Sequence, residues 1–294
     1  MNSAMEYKGL GTALVTPFRG GNVDWDAYRA LVKRQVDAGV DFLVPLGSTA
    51  ETPCLSDDEK VRLLEIAAEE GCGRPVVAGV GTNSLTGTVH NMRVLDGHGA
   101  DAYLVVVPFY NKPTQEGLFR YFSAVAGETD RDVILYNVPG RTGTNMKAGT
   151  TLRLAGIDNV VAVKEASGDV AQILDIKRQA PDGFSVLSGN DDQTLPLMAG
   201  GADGVISVAS NVAPELTKAL TLAVEKSDLR EAIRLNNSLM PLYHACFVES
   251  NPIPVKAALS LMGLCSPEMR LPLTEAVDST RELLKAVLGG LKLI

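Results

Sequence analysis

The chain has 294 residues, 46% hydrophobic and 21% charged, which suits one large α/β barrel or two ordinary domains around a sizeable core. Its formal net charge is −8 and no Lys/Arg run forms a basic patch, so nucleic acid is excluded as an expected partner and an anionic substrate must be met by a local cation. Four scattered cysteines and three scattered histidines lack metal or redox spacing, and no apolar stretch has the length of a signal core or a bilayer span, which predicts a cytoplasmic, metal-free protein away from membranes.

Short apolar runs recur from the N-terminus onward. They are Gly11 to Val15, Phe42 to Leu46, Pro75 to Val80, Ala102 to Val107, Val133 to Tyr136, Val160 to Val163, Phe184 to Leu187 and Gly204 to Val208. Runs this short, without polar alternation, predict strands buried on both faces of a parallel sheet. Helical periodicity fills the gaps; Asp57 to Glu70 is one case, with Val61, Leu64, Ile66 and Ala67 on its apolar side. Eight strand–helix units predict a (β/α)8 TIM barrel, since a doubly wound open sheet usually stops at fewer strands. Beyond about residue 212 no strand pattern remains. The reading is a catalytic barrel over 1–225 and a C-terminal helical extension over 226–294 packed on it.

In a TIM barrel the chemistry lies where the strands end. After the second run comes Gly47-Ser48-Thr49-Ala50-Glu51, whose hydroxyls and backbone N–H groups suit a carboxylate; a Ser/Thr helix cap with Glu51 in the first turn explains the same residues. The fourth run leads to Tyr110, an aromatic of an interface or of the mouth. Tyr136 ends the fifth run on the face shared with Ile134, followed by Arg141 in a Pro/Gly loop. They are a proton shuttle and a carboxylate clamp, or else a satisfied core phenol and a solvated cation. Lys164 ends the sixth run in line with Val160 and Ala162. Burial there would lower its pKa and free the amine to attack a carbonyl, unless it pairs with a barrel carboxylate. Gly79-Val-Gly81 and Gly200-Gly-Ala-Asp-Gly204 are weak mimics of nucleotide and phosphate loops, and Asp191-Asp192 reads as an acid-rich helix start rather than a metal site. Converging on one mouth, the amine, the shuttle, the cradle and the clamp imply Schiff-base aldol chemistry on a keto acid.

These residues resemble the dihydrodipicolinate synthase and N-acetylneuraminate lyase family of class I aldolases. The resemblance runs from Gly11-Thr-Ala-Leu-Val-Thr-Pro-Phe18 to Asn251-Pro-Ile-Pro-Val-Lys256; Tyr136-Asn-Val-Pro-Gly-Arg-Thr-Gly143 and Val163-Lys-Glu-Ala-Ser-Gly168 are its most specific segments. Arg141 within the former is similar to the synthase branch, which condenses pyruvate with aspartate semialdehyde toward lysine and diaminopimelate; sialic-acid lyases lack it. A lyase of another 2-keto-3-deoxy acid and a non-catalytic keto-acid sensor are the competing readings. The resemblance implies Lys164 as the Schiff-base lysine, with no organic cofactor. It implies Tyr136 as proton donor and acceptor, relayed to Ser48 and to Tyr110 of a neighbouring subunit. Thr49 and the backbone of Ile206 would hold pyruvate, Gly189 would line the pocket and Arg141 would bind the second substrate. It also implies a homotetramer of two tight dimers. Ser48 and Ala50 depart from the usual Thr and Gly. In the family's feedback-sensitive pattern lysine is gripped by histidines and a glutamate; the matching positions here are Asp57, Lys60 and Gly87, with Asn83 retained and Phe109 in the place of a tyrosine, so lysine inhibition is expected to be weak or absent.

Overall fold

In the computed structural model, residues 7–294 are described. Eight strands form the barrel: β1 (Gly9–Ala13), β2 (Phe42–Val44), β3 (Val77–Gly79), β4 (Ala102–Val106), β5 (Asp132–Asn137), β6 (Val160–Glu165), β7 (Ser185–Ser188) and β8 (Gly204–Ser207). Every pairing between them is parallel. β1 lies between β2 and β8, and a bridge from Leu43 to Val76 closes β2 onto β3. Helices follow the strands: α1 (Trp25–Asp37), α2 (Asp57–Glu70), α3 (Leu85–Leu95), α4 (Gln115–Ala126), α5 (Ala148–Leu154), α6 (Val170–Gln179), α7 (Thr194–Ala199) and α8 (Pro214–Glu225). Local signals start them. Asp24, Ser84, Thr114 and Asp169 each accept from a first-turn N–H, and Ser56 with Glu59 forms a capping box at α2.

Strand alternation sorts the core into two layers. Phe42, Val44, Leu104, Ile134, Tyr136, Ala162, Leu187 and Ile206 fill the barrel, while Leu43, Val105, Val133, Leu135, Val163 and Val186 pack outward against the helices. Two local expectations shift. The first strand starts two residues earlier than its apolar run, and α2 buries Leu63 rather than Val61 beside Leu64, Ile66 and Ala67. Val160 does not share a face with Ala162 and Lys164. The pairing with β5 slips between Val133 and Ile134, which turns Val160 outward while Ala162 and Lys164 stay on the interior side.

A third cluster joins the barrel to α9 (Leu229–Ala245), α10 (Ile253–Leu261) and α11 (Asp278–Gly290). Val15, Leu31, Val208 and Leu220 pack there with Leu239, Leu242, Val255, Leu259 and Leu284. The segment leading into α10 thereby reaches the C-terminal mouth of the barrel. Among the described residues no helix is long and apolar enough to cross a membrane.

Candidate active site

A cavity of about 50 Å³ sits at the C-terminal ends of the strands and shares Ser48, Tyr136, Arg141 and Asn251 with an adjoining one of about 510 Å³. Lys164 is 5% exposed. Tyr136 on β5 and Lys164 on β6 are register partners, so their side chains stand together, with Nζ 4.5 Å from the ring centroid. No hydrogen bond or ion pair engages this ammonium among the described residues. The next residue, Glu165, points to the opposite face, where Asn137, Gln172 and the backbone N–H of Ser167 hold it. Alternation therefore removes the nearest carboxylate from Lys164. Burial lowers its pKa to about 8; Asp191 opposes that shift and Arg141 assists it. An amine that is neutral in a useful fraction near pH 7 is a nucleophile for a ketone.

Tyr136 is buried, which raises its pKa, while the charge of Arg141 and a hydrogen bond with Ser48 pull the other way. The phenol thus has a hydroxyl partner through which a proton can pass. Ser48 and Thr49 lie in a single 3₁₀ turn, Ser48–Ala50, with no side-chain cap; the helix-cap reading does not hold. Positive φ falls on Leu46 (61°) and Glu51 (55°), not on Ala50, so the methyl of Ala50 is accommodated. Thr49 is buried and its Oγ1 accepts from Asn251 Nδ2 at 2.9 Å. Arg141 leaves the one-turn helix Pro139–Thr142 and donates from Nη2 to the backbone oxygen of Asn251 at 3.0 Å.

Gly189 and Lys164 are in mutual contact range: a Cβ at 189 would stand 2.6 Å from Ala166 Cβ and 3.2 Å from Lys164 Cε, so only glycine leaves the amine its place. Ile206 is fully buried inside the barrel on β8, paired with Gly11; Val208, two residues on, reaches the cavity wall. Tyr110 is not brought to the others. It is 89% exposed at the tip of the β4 loop with φ 73°, and Phe109 beside it faces the larger cavity. The glycines at the end of β3 and just beyond it serve packing: a Cβ at Gly79 would collide with the Leu46 backbone oxygen at 2.0 Å and one at Gly81 with the Val106 backbone nitrogen at 2.4 Å.

Three participants escaped sequence reasoning. Asp191 does open an acid-rich helical turn, the 3₁₀ segment Asp191–Gln193, but it is also a buried carboxylate that accepts from Ser207 Oγ and the N–H groups of Val208 and Ala209. It anchors the end of β8 and supplies the anionic influence on Lys164. Asn251 spans Thr49 and Arg141. Glu51 forms an ion pair with Lys256 at 2.8 Å in which both side chains are 0% exposed. Among the described residues two lysines are thus buried, Lys256 neutralised by a carboxylate and Lys164 with no carboxylate paired to it.

The sequence matches the Dihydrodipicolinate synthetase family over residues 6–290. Two similar proteins bear the name 4-hydroxy-tetrahydrodipicolinate synthase. The one from Thermotoga neapolitana is 47% identical, covering 96% of this chain and 98% of that one; the one from Pelobacter propionicus is 46% identical, covering 98% and 100%. A dihydrodipicolinate synthase crystal structure from Thermotoga maritima superposes with a TM-score of 0.97 at 44% identity, over 99% of this chain and all of that one. Another similar structure, described as the first monomeric dihydrodipicolinate synthase variant, gives 0.96 at 44% identity over 98% of both chains.

Proposed function

The chain belongs to the dihydrodipicolinate synthetase family, and on that premise we propose that its barrel mouth condenses pyruvate with aspartate semialdehyde to 4-hydroxy-tetrahydrodipicolinate. The observation that carries this is the unpaired, buried Lys164 against Tyr136, with Arg141 at the same cavity. Lys164 attacks C2 of pyruvate, and the carbinolamine loses water to give an imine. Tyr136 takes a proton from the methyl carbon of the protonated imine while its own phenolic proton passes to Ser48, and the positively charged nitrogen receives the electron pair as a neutral enamine forms. The enamine carbon adds to the aldehyde, and the same relay returns the proton to the new alkoxide. The amine of the second substrate then adds to C2 and expels Lys164, closing the ring.

Thr49 and the backbone at Ile206 hold the pyruvate carboxylate, Gly189 gives it room, and Arg141 binds the carboxylate of the semialdehyde as a charge-assisted fork. Tyr110 completes the relay from a neighbouring subunit; its exposure and left-handed backbone support a residue whose partner lies outside its own chain. The assembly that follows is a homotetramer of two tight dimers, and four unpaired cysteines fit a reducing cytoplasm. A coupled assay with pyruvate and aspartate semialdehyde tests the activity: turnover with that pair and none with sugar-acid aldehydes is expected, and no turnover despite pyruvate labelling of Lys164 would favour a sensor.

A further inference from the structure

The sequence singles out Asn251-Pro-Ile-Pro-Val-Lys256, yet the reaction as written gives most of it no task. The structure places Lys256 against the turn that follows β2. Its Nζ donates to Glu51 Oε1 at 2.8 Å, and the other carboxylate oxygen, Oε2, accepts from the Arg270 backbone N–H at 3.1 Å. Lys256 and Arg270 lie over the same ring, that of Phe18, at 4.2 and 4.4 Å. Lys256 does not line the cavity, and its ammonium is already neutralised, so it is not a second nucleophile.

Glu51 ends the turn that presents Ser48 and Thr49, and it does so with φ 55°, a left-handed conformation that a non-glycine residue adopts only when its surroundings hold it there. The carboxylate of Glu51 is gripped from two C-terminal residues, and Thr49 from a third, Asn251. Every one of these anchors lies more than 200 residues along the chain. A fully buried ion pair is poor evidence for stability, because well-packed apolar residues often replace one without loss; what it imposes is one geometry.

We propose that the buried Glu51–Lys256 pair is a positioning device for the reaction, fixing the turn so that Ser48 meets Tyr136 and Thr49 faces the substrate. The C-terminal helices are then part of the catalytic apparatus. The proposal rests on the Schiff-base reading above and adds a task for residues that touch no substrate.

The test compares the parent with Lys256→Met and with the double variant Glu51→Gln/Lys256→Met as full-length chains. Four quantities are measured: melting temperature, borohydride trapping of pyruvate on Lys164, exchange of pyruvate methyl protons in D2O, and kcat in the coupled assay. Lys256→Met leaves a bare buried carboxylate, so melting temperature and kcat both fall. The double variant removes that charge and regains most of the melting temperature. Its methyl exchange and kcat nevertheless stay at least about tenfold down at saturating pyruvate, with trapping retained, which is the size expected of a misplaced reacting group. Exchange and kcat returning to within twofold of the parent would overturn the proposal, since the pair would then be structural only. Glu51→Gln alone leaves Lys256 a buried cation without its counter-ion, so its melting temperature falls too. Should the double variant not fold, this variant carries the test, assayed at a temperature where it stays folded: kcat and methyl exchange down threefold or more with trapping retained supports positioning, and an unchanged kcat refutes it. A parent chain that pyruvate and borohydride fail to label would sink the Schiff-base reading itself, and the positioning role with it.

Discussion

The free amine of Lys164 should set the pH dependence of imine formation. An ordinary lysine titrates near 10.5, and burial brings this one to about 8. At pH 7 roughly a tenth of Lys164 is then neutral, about 300-fold more than for an unperturbed lysine. The rate of cyanoborohydride trapping with saturating pyruvate, followed by intact mass, should rise about fivefold from pH 7 to 8 and less than about twofold from 8 to 9. The neighbours give the direction of further shifts. Arg141→Met removes a cation that lowers the pKa, so the midpoint should move up; Asp191→Asn removes an anion that raises it, so the midpoint should move down. The same depression costs stability. Between about pH 8 and 10.5 the unfolded chain binds the proton that the folded chain has lost, so stability from this group rises with pH across that window. Below pH 8 the full penalty applies, up to about 3 kcal/mol, and Lys164→Met should therefore raise the melting temperature at pH 7. A trapping rate that climbs tenfold per pH unit beyond pH 9 would show an ordinary lysine and refute the reasoning.

Gly189→Ala places a methyl 2.6 Å from Ala166 Cβ and 3.2 Å from Lys164 Cε; calorimetry should show a loss of about 1–3 kcal/mol from overpacking, and trapping should slow with it. Arg141→Ala should raise KM for the semialdehyde about ten- to hundredfold, the worth of a charge-assisted contact, while trapping by pyruvate survives; equal losses in both would deny it a role in the second substrate. Lysine should inhibit weakly or not at all: the Asp57 carboxylate is occupied by Lys60 Nζ and His90 Nε2, each at 2.9 Å, and Lys60 itself lines the larger cavity. Initial rates against lysine at fixed substrates check this, and strong inhibition below millimolar lysine would contradict it.

The barrel was legible because its evidence is local. Each apolar run, each cap and each helical stripe is written within a dozen residues, and eight repeats leave few topologies. Alternation within single strands likewise placed Tyr136 and Lys164 inward, and the motifs around Tyr136, Arg141 and Lys164 carried the resemblance to the family. Alternation failed at Val160, because a one-residue slip in pairing with a neighbouring strand leaves no mark on the strand's own sequence. Contacts closed only by folding were invisible for the same reason. Asp191 bonds to residues 16 to 18 positions away, Asn251 to Thr49 across 202, and Lys256 to Glu51 across 205. Sequence alone could say that a lysine at a strand end is either a nucleophile or half of an ion pair. Only the tertiary structure decided that Lys164 is buried with no carboxylate paired to it, and that Lys256, within α10, is buried against Glu51, because burial and the position of a carboxylate are properties of the packed chain, not of its local pattern.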